Sequence, residues 1–378
     1  MGMPMHLLHR TSTWRSLFAD DIVPDVGRLP ALLAPLGEAI ERLGPTPSLA
    51  EAHAWQRDLV AALVRLDLPA WRISQLISDH NDALYRRAIE ASLVAMQEQG
   101  WGAPPVAFCV LTLGSAARHE SLLVPDQDNA MVIADYADAR HTEIDGYFQA
   151  LGERFTAALD AAGIPLCPGH VMARWPMWRK RLSAWQAQLA IWTAERRVKR
   201  VQQANILLDA SPVYGEAALA TGLVDGVMRH VPEAGLFLDE MAALLNECPV
   251  ALDRFGRLAA GGEGAPAESA LDLKHRGLLP LVGAVRLLSV RHRVRAMATR
   301  ERLAALVMAG GLEAALAAEL RRALERLQAL LLSAQRDALR QGRIADGWID
   351  LDALGEDQRL LLRHDLALIR RLVKRAQA

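Results

Sequence analysis

The sequence predicts an α+β protein, mainly α, in which a small mixed sheet is flanked by N-terminal helices and a C-terminal helical bundle. Three observations predict it. Aromatic residues make up only 5% of the chain while alanine, leucine and arginine abound, a balance that favours helix over sheet. Apolar residues recur at three- and four-residue steps over long stretches near both ends. Between them, short apolar runs alternate with glycine, proline and aspartate turns. A length of 378 residues and a 52% hydrophobic composition allow two or three domains with real cores. We divide the chain into an N-terminal helical region (1–100), an α/β domain (101–215) and a C-terminal bundle (216–378).

Residues 1 to 28 carry no sustained period and are expected to form a partly ordered arm. From Leu29 the pattern turns helical; Pro45-Thr46-Pro47 breaks it before a second helix, Ser48 to Leu66. A longer helix follows Pro69, with Ile73, Leu76, Ile77, His80, Leu84, Ala88, Ala91 and Ala95 on one stripe. Asp79, His80 and Asp82 lie on or beside that stripe. They have the spacing of metal ligands, and equally that of a core-edge histidine bonded to a neighbour.

The Gly100 to Pro105 cluster marks a boundary, and beyond it the order is strand, turn, strand, helix (Glu143 to Ala162), then a short apolar segment, Ile164 to Met172. A helix over Met177 to Glu195 carries Trp178, Trp185 and Trp192 at seven-residue steps, near one face. Those indoles suit either base stacking or burial against the sheet. Ala204 to Leu208 reads as a short strand ending in Asp209, with a turn at Pro212 to Gly215. After Gly215 the pattern is all helix apart from a loop, Ala259 to Ser269; Leu316, Leu320, Leu324, Leu327 and Leu331 form one stripe of a bundle.

The chemistry concentrates in Leu111 to Asn129, LTLGSAARHESLLVPDQDN. A glycine where a strand passes into a helix lets backbone N–H groups approach an anion, and the helix start adds partial positive charge. Ser115 can donate its hydroxyl to the same phosphate. If Asp126 to Ala134 is extended, residues two apart share a face, so Asp126 and Asp128 converge and Gln127 points the other way. Two convergent carboxylates suit Mg2+, which accepts substrate phosphates as further ligands. Two such ions about 3.5 to 4 Å apart stabilise both the attacking and the leaving oxygen of an in-line displacement. Arg118 can pair with phosphate, and Glu120 can anchor Arg118. An Asp-x-Asp pair also occurs in ordinary turns and solvated loops; the combination within one short segment is what points to a site.

This segment resembles the nucleotidyltransferase superfamily typified by DNA polymerase beta, and within it the nucleotidyltransferases related to the N-terminal domain of PII-protein uridylyltransferase. Their pattern, approximately G-S-x-G-R-x-E, a spacer, then D-Q-D-N, is matched by Gly114, Ser115, Arg118, Glu120, Asp126, Gln127, Asp128 and Asn129. The segments CPGHVMA (167–173), PMWR (176–179), ILLDASPVYG (206–215) and LDLKHRGLLPLV (271–282) extend it, so that it covers most of the chain beyond residue 70. The resemblance implies a nucleotidyltransferase core and a nucleoside triphosphate substrate. It implies two Mg2+ ions on Asp126 and Asp128, with Gly114, Ser115, Arg118 and Lys274 on the nucleotide and Glu120 and Asn129 in support. It makes Asp209 the candidate third carboxylate and acceptor base, although a cap or turn aspartate reads the same way. It also implies a protein acceptor, as in uridylylation of PII signalling proteins. Relatives often carry CBS or cyclic-nucleotide-binding domains in front, for which this length is expected to leave no room. Three positions depart from the family: Ala117 and His170 where glycine is usual, and Ser211 where an arginine is common.

A net charge of −1 argues against a broad nucleic-acid surface. Local basic clusters at Arg179 to Arg181 and Arg196 to Arg200 suit either a solvated helix face or an anionic partner. Three widely spaced cysteines, Cys109, Cys167 and Cys248, make neither a disulfide framework nor a zinc pattern and fit a reducing cytoplasm. No stretch has the apolar length of a membrane span, and the N-terminus lacks the apolar core of a signal peptide. His364-Asp365 lacks the companion motifs of an HD phosphohydrolase. The expected activity is Mg2+-dependent transfer of a nucleotidyl group with release of pyrophosphate. The rivals are a catalytically weakened nucleotide-binding regulatory module and a helical scaffold without a nucleotide role.

Overall fold

In the computed structural model, which describes residues 34–43, 46–194 and 204–378, the chain is α+β and mainly α. The N-terminal arm and the Arg196 to Arg200 cluster lie outside the described residues. Helices α1 (Ala34–Leu43), α2 (Leu49–Ala54), α3 (Gln56–Arg65) and the 29-residue α4 (Ala70–Glu98) come first. The helix expected over Ser48 to Leu66 is therefore two helices. Ser48 and Glu51 form a reciprocal capping box at the start, and Trp55 marks the break, its indole donating to the Ala39 carbonyl at 2.6 Å.

The sheet holds β1 (Phe108–Leu113), β2 (Asn129–Ile133), β3 (Arg179–Arg181) and β4 (Ala210–Gly215) in the order β3-β2-β1-β4. β1 runs antiparallel to β2 and β4, whereas β2 and β3 are parallel, so the sheet is mixed. Every residue of β1 and β2 is buried, because both faces are covered. Alternation assigns the faces. Cys109, Leu111, Leu113, Ala130 and Val132 pack with the C-terminal helices, while Phe108, Val110, Met131 and Ile133 pack with α4 and with α5 (His141–Ala161). The sheet thus stands between two cores.

Residues 177–194 begin as a short turn and β3 before α6 (Leu182–Ala194). Trp178, Trp185 and Trp192 are buried in one row with ring centroids 6.3 and 6.4 Å apart, and the Trp185 indole donates to the Met131 carbonyl at 3.0 Å. Burial against the sheet is their role. Residues 204–207 are helical and β4 follows them, which corrects the strand expected at Ala204 to Leu208. Ala204, Leu207 and Leu208 share a helical spacing, and so short an apolar run fits either period.

The remaining helices are α7 (Ala217–His230), α8 (Gly235–Leu244), α9 (Leu279–Arg291), α10 (Thr299–Met308), α11 (Ala314–Arg340) and α12 (Glu356–Gln377). This part is not all helix: β5 (Ala270–Asp272) pairs antiparallel with β6 (Trp348–Asp350). A π-turn, Lys274–Leu278, leads from β5 into α9. Asp365 is buried in a two-pronged pair with Arg326 while His364 is exposed, so the two do not act together.

Two residues of this frame give direct tests. Gly215 has φ +91°, and a Cβ there would lie 2.2 Å from the Phe108 carbonyl oxygen across the β1–β4 ladder. Gly215→Ala is expected to lower stability by about 2 kcal/mol or more in a denaturant titration. His80, 0% exposed, meets the Gln56 amide at 3.0 Å and the edge of Trp55. Burial pushes its pKa down to about 3. Because the unfolded chain takes up that proton first, the contribution is full above about pH 6.5 and falls as pH drops, by about 1.4 kcal/mol per unit. His80→Asn should remove this slope between pH 6 and pH 4 in denaturation curves.

Candidate active site

β1 ends at Leu113, and Gly114, with φ +59°, turns the chain into a single helical turn, Gly114–Ala117. One turn is too short to build the helix dipole expected here; the turn instead presents an exposed Ser115. Its place is fixed from beneath. The Gly114 N–H donates to the Asp209 carbonyl at 3.0 Å, the Leu113 N–H to the Asp128 carbonyl at 2.9 Å, and the Glu120 N–H to the Ser115 carbonyl at 2.9 Å.

β2 begins only at Asn129, yet the residues before it are extended. Gln127 bridges Leu166, and its side chain, wholly buried, donates to the carbonyls of Thr156 at 2.9 Å and Ile164 at 2.8 Å. With Gln127 anchored inward, Asp126 and Asp128 project together on the other side. One carboxylate oxygen of each, with the Cys167 sulfur, forms a set whose atoms all lie within 4.8 Å of one another. Among the described residues neither carboxylate enters an ion pair. Gly114 lies directly alongside: a Cβ there would be 3.6 Å from Asp128 Oδ2. Asp126 is exposed and Asp128 half-buried, so the pair faces outward beside Ser115.

Burial, and after it the neighbouring Asp126 charge, raise the Asp128 pKa to about 6 against a hydrogen bond with Cys167 and the charges of Lys274 and Arg118. Lys274 is thus within electrostatic reach of the acid pair, carried there by the exposed first residue of the π-turn. Asn129 is buried behind the pair, its amide donating to the Tyr85 hydroxyl at 3.3 Å and its oxygen accepting from the Ala173 N–H at 2.8 Å.

Asp209 and Arg118 occupy positions unlike those expected of a base and a phosphate ligand. Asp209 is 0% exposed: Oδ2 accepts from Arg118 at 2.5 Å and from Arg286 at 2.5 and 3.0 Å, and Oδ1 from Arg302 at 2.6 Å. Although burial opposes it, the charges of Arg286, Arg302 and Arg118 hold its pKa far below the ordinary carboxylate value. A carboxylate so enclosed has no open face for an acceptor hydroxyl. Arg118 gives its other arm to Glu120 at 2.7 Å, and Glu120 accepts from the Thr299 N–H at 2.6 Å and hydroxyl at 3.0 Å. Arg286 and Thr299/Arg302 come from α9 and the start of α10, so the hub ties the Gly114 turn to the C-terminal helices.

Asp79 meets His119 Nδ1 at 2.9 Å, with Asp82 close by, whereas His80 points into the core. Arg179 is buried against Asp145, and Arg181 pairs with the exposed Asp138 at the surface, so both guanidiniums already face a carboxylate. His170, standing where relatives have glycine, holds φ +58°, the conformation glycine adopts readily. A concavity of about 690 Å³ bounded by Trp101 and Tyr147 lies at the opposite end of β1 from the acid pair. No described helix is long and apolar enough to cross a membrane.

The first two strands of the mixed sheet thus deliver a Gly-Ser turn and a convergent acid pair to one place. Two family models match the chain, "Putative nucleotidyltransferase DUF294" over residues 54–199 and "Putative nucleotidyltransferase substrate binding domain" over residues 235–378. Together they span most of the sequence, and the chain belongs to this nucleotidyltransferase family. No curated protein matches it.

Proposed function

We propose that the chain moves a nucleoside monophosphate from a triphosphate to an acceptor hydroxyl. The convergence of Asp126 and Asp128 beside Gly114 and Ser115, in a chain of this family, carries the reading. The acceptor oxygen bonds to the α-phosphorus, the bond from that phosphorus to the β-phosphate oxygen breaks, pyrophosphate leaves, and the hydroxyl proton passes to water. Positioning and charge neutralisation dominate such a step. Asp126 and Asp128 would hold Mg2+, whose fit rests on two oxygen donors converging on an open face; the ions, two in the active complex, supply charge stabilisation at the transferring phosphate. Ser115 donates to the β- and γ-phosphates, and Lys274 adds a cation from the C-terminal side. Arg118 steadies the turn from below, as Asn129 steadies the acid pair.

By resemblance to PII uridylylation the acceptor is a protein side chain, recognised by the C-terminal helices. Three free cysteines support a reducing, cytoplasmic setting. The enclosure of Asp209 favours a second reading, a nucleotide-binding module weakened in catalysis. Calorimetry with ATP, UTP, CTP and GTP in Mg2+, beside a pyrophosphate assay, separates the two. Binding with pyrophosphate release in the presence of an acceptor supports transfer, binding alone supports the module, and no binding contradicts both.

A further inference from the structure

The acid pair has a third donor of a different chemical kind. Cys167 follows the Gln127–Leu166 bridge, is 8% exposed, and sets its sulfur within the same 4.8 Å group as the oxygens of Asp126 and Asp128. The backbone holds it there: the His170 N–H donates to the Cys167 carbonyl at 3.0 Å, and His170 closes the loop at φ +58°. The loop packs closely around the sulfur: a Cβ on Gly169 would lie 3.5 Å from it.

Donor chemistry decides which ions such a set takes. Mg2+ binds oxygen and leaves sulfur alone, whereas Zn2+ and Cd2+ take thiolate and carboxylate together, with water in the remaining position. We propose that Asp126, Asp128 and Cys167 form a site for thiophilic divalent cations, overlapping the Mg2+ position and occupied in competition with it. This rests on the reading of Asp126 and Asp128 as metal ligands. On binding, a metal–sulfur bond forms and the thiol proton leaves to the buffer. Zn2+ and Cd2+ are therefore inhibitors of any Mg2+-dependent activity at this site.

The test is Cd2+ titration of the full chain, followed by the ultraviolet sulfur-to-cadmium charge-transfer band, in a Cys248→Ser background. That background removes the other reachable thiol, since Cys109 is 0% exposed within β1. One equivalent of Cd2+ should produce the band. Adding Cys167→Ser should abolish it, and Asp126→Asn or Asp128→Asn should weaken Cd2+ binding at least about tenfold. Excess Mg2+ should raise the Cd2+ concentration needed, a readout that requires no change at the site. A band that survives Cys167→Ser, or one indifferent to both aspartates and to Mg2+, overturns the inference. If the band behaves as expected but no triphosphate is turned over, the metal site stands and the transfer reading falls. Transfer without any band overturns the inference alone.

Discussion

Asp128→Asn is expected to reduce nucleotidyl transfer by a factor on the order of 10³ while leaving the fold intact. The carboxylate converges with Asp126 beside Gly114, and among the described residues it makes no ion pair that the fold would lose. Burial and the Asp126 charge raise its pKa to about 6, so without metal the ionised pair is under strain. The sign follows: the folded chain binds this proton more tightly than the unfolded chain, so metal-free stability falls as pH rises from about 4 to about 6. Asparagine removes that loss. The metal-free variant should therefore melt at or above the wild-type temperature near pH 7, which a thermal scan beside the transfer assay checks. Inactivity with undiminished stability is the mark of a group placed for function.

Asp209→Ala is expected to have the opposite signature, a loss of about 3–5 kcal/mol of stability. Arg118, Arg286 and Arg302 are all buried around this one carboxylate, and among the described residues only Glu120 brings them a second negative charge. Removing Asp209 leaves three guanidiniums enclosed with one countercharge, Glu120, which bonds Arg118 alone of the three. Urea denaturation should show the loss, and activity should fall with it because Arg118 no longer braces the turn. Since the folded pKa is depressed, the stabilisation is present above the ordinary carboxylate value and fades as pH falls below about 4. A variant with unchanged stability would remove the hub from this account.

The same two aspartates mark how far the sequence could be read. The acid pair was legible because alternation in an extended segment is a local property: Asp126 and Asp128 share a side once Gln127 is inward. Lys274 was placed by resemblance, and it lies within electrostatic reach of Asp128. The state of Asp209 was not legible, because it depends on Arg286 and Arg302, which lie 77 and 93 residues further along. One signal was available: Arg286 stands alone among apolar residues in LPLVGAVRLLSV, and a buried charge there requires a partner. Cys167 was read as part of a motif and as one of three scattered thiols without a metal pattern, since its approach to Asp128 depends on how the loop after Leu166 folds back. Helix and sheet content followed from composition and period, but the three-residue β5 and β6 are too short to carry an alternation.

The central claim is that Asp126 and Asp128 serve phosphoryl chemistry on a nucleotide. Its most direct measurement is incubation of the purified chain with each nucleoside triphosphate labelled at the α-phosphate, in Mg2+ and with cell lysate, beside the Asp128→Asn chain. The account predicts Mg2+-dependent label on a protein band with the wild-type chain and none with the variant. Equal labelling by both, or no labelling and no pyrophosphate release with any of the four triphosphates, would contradict it.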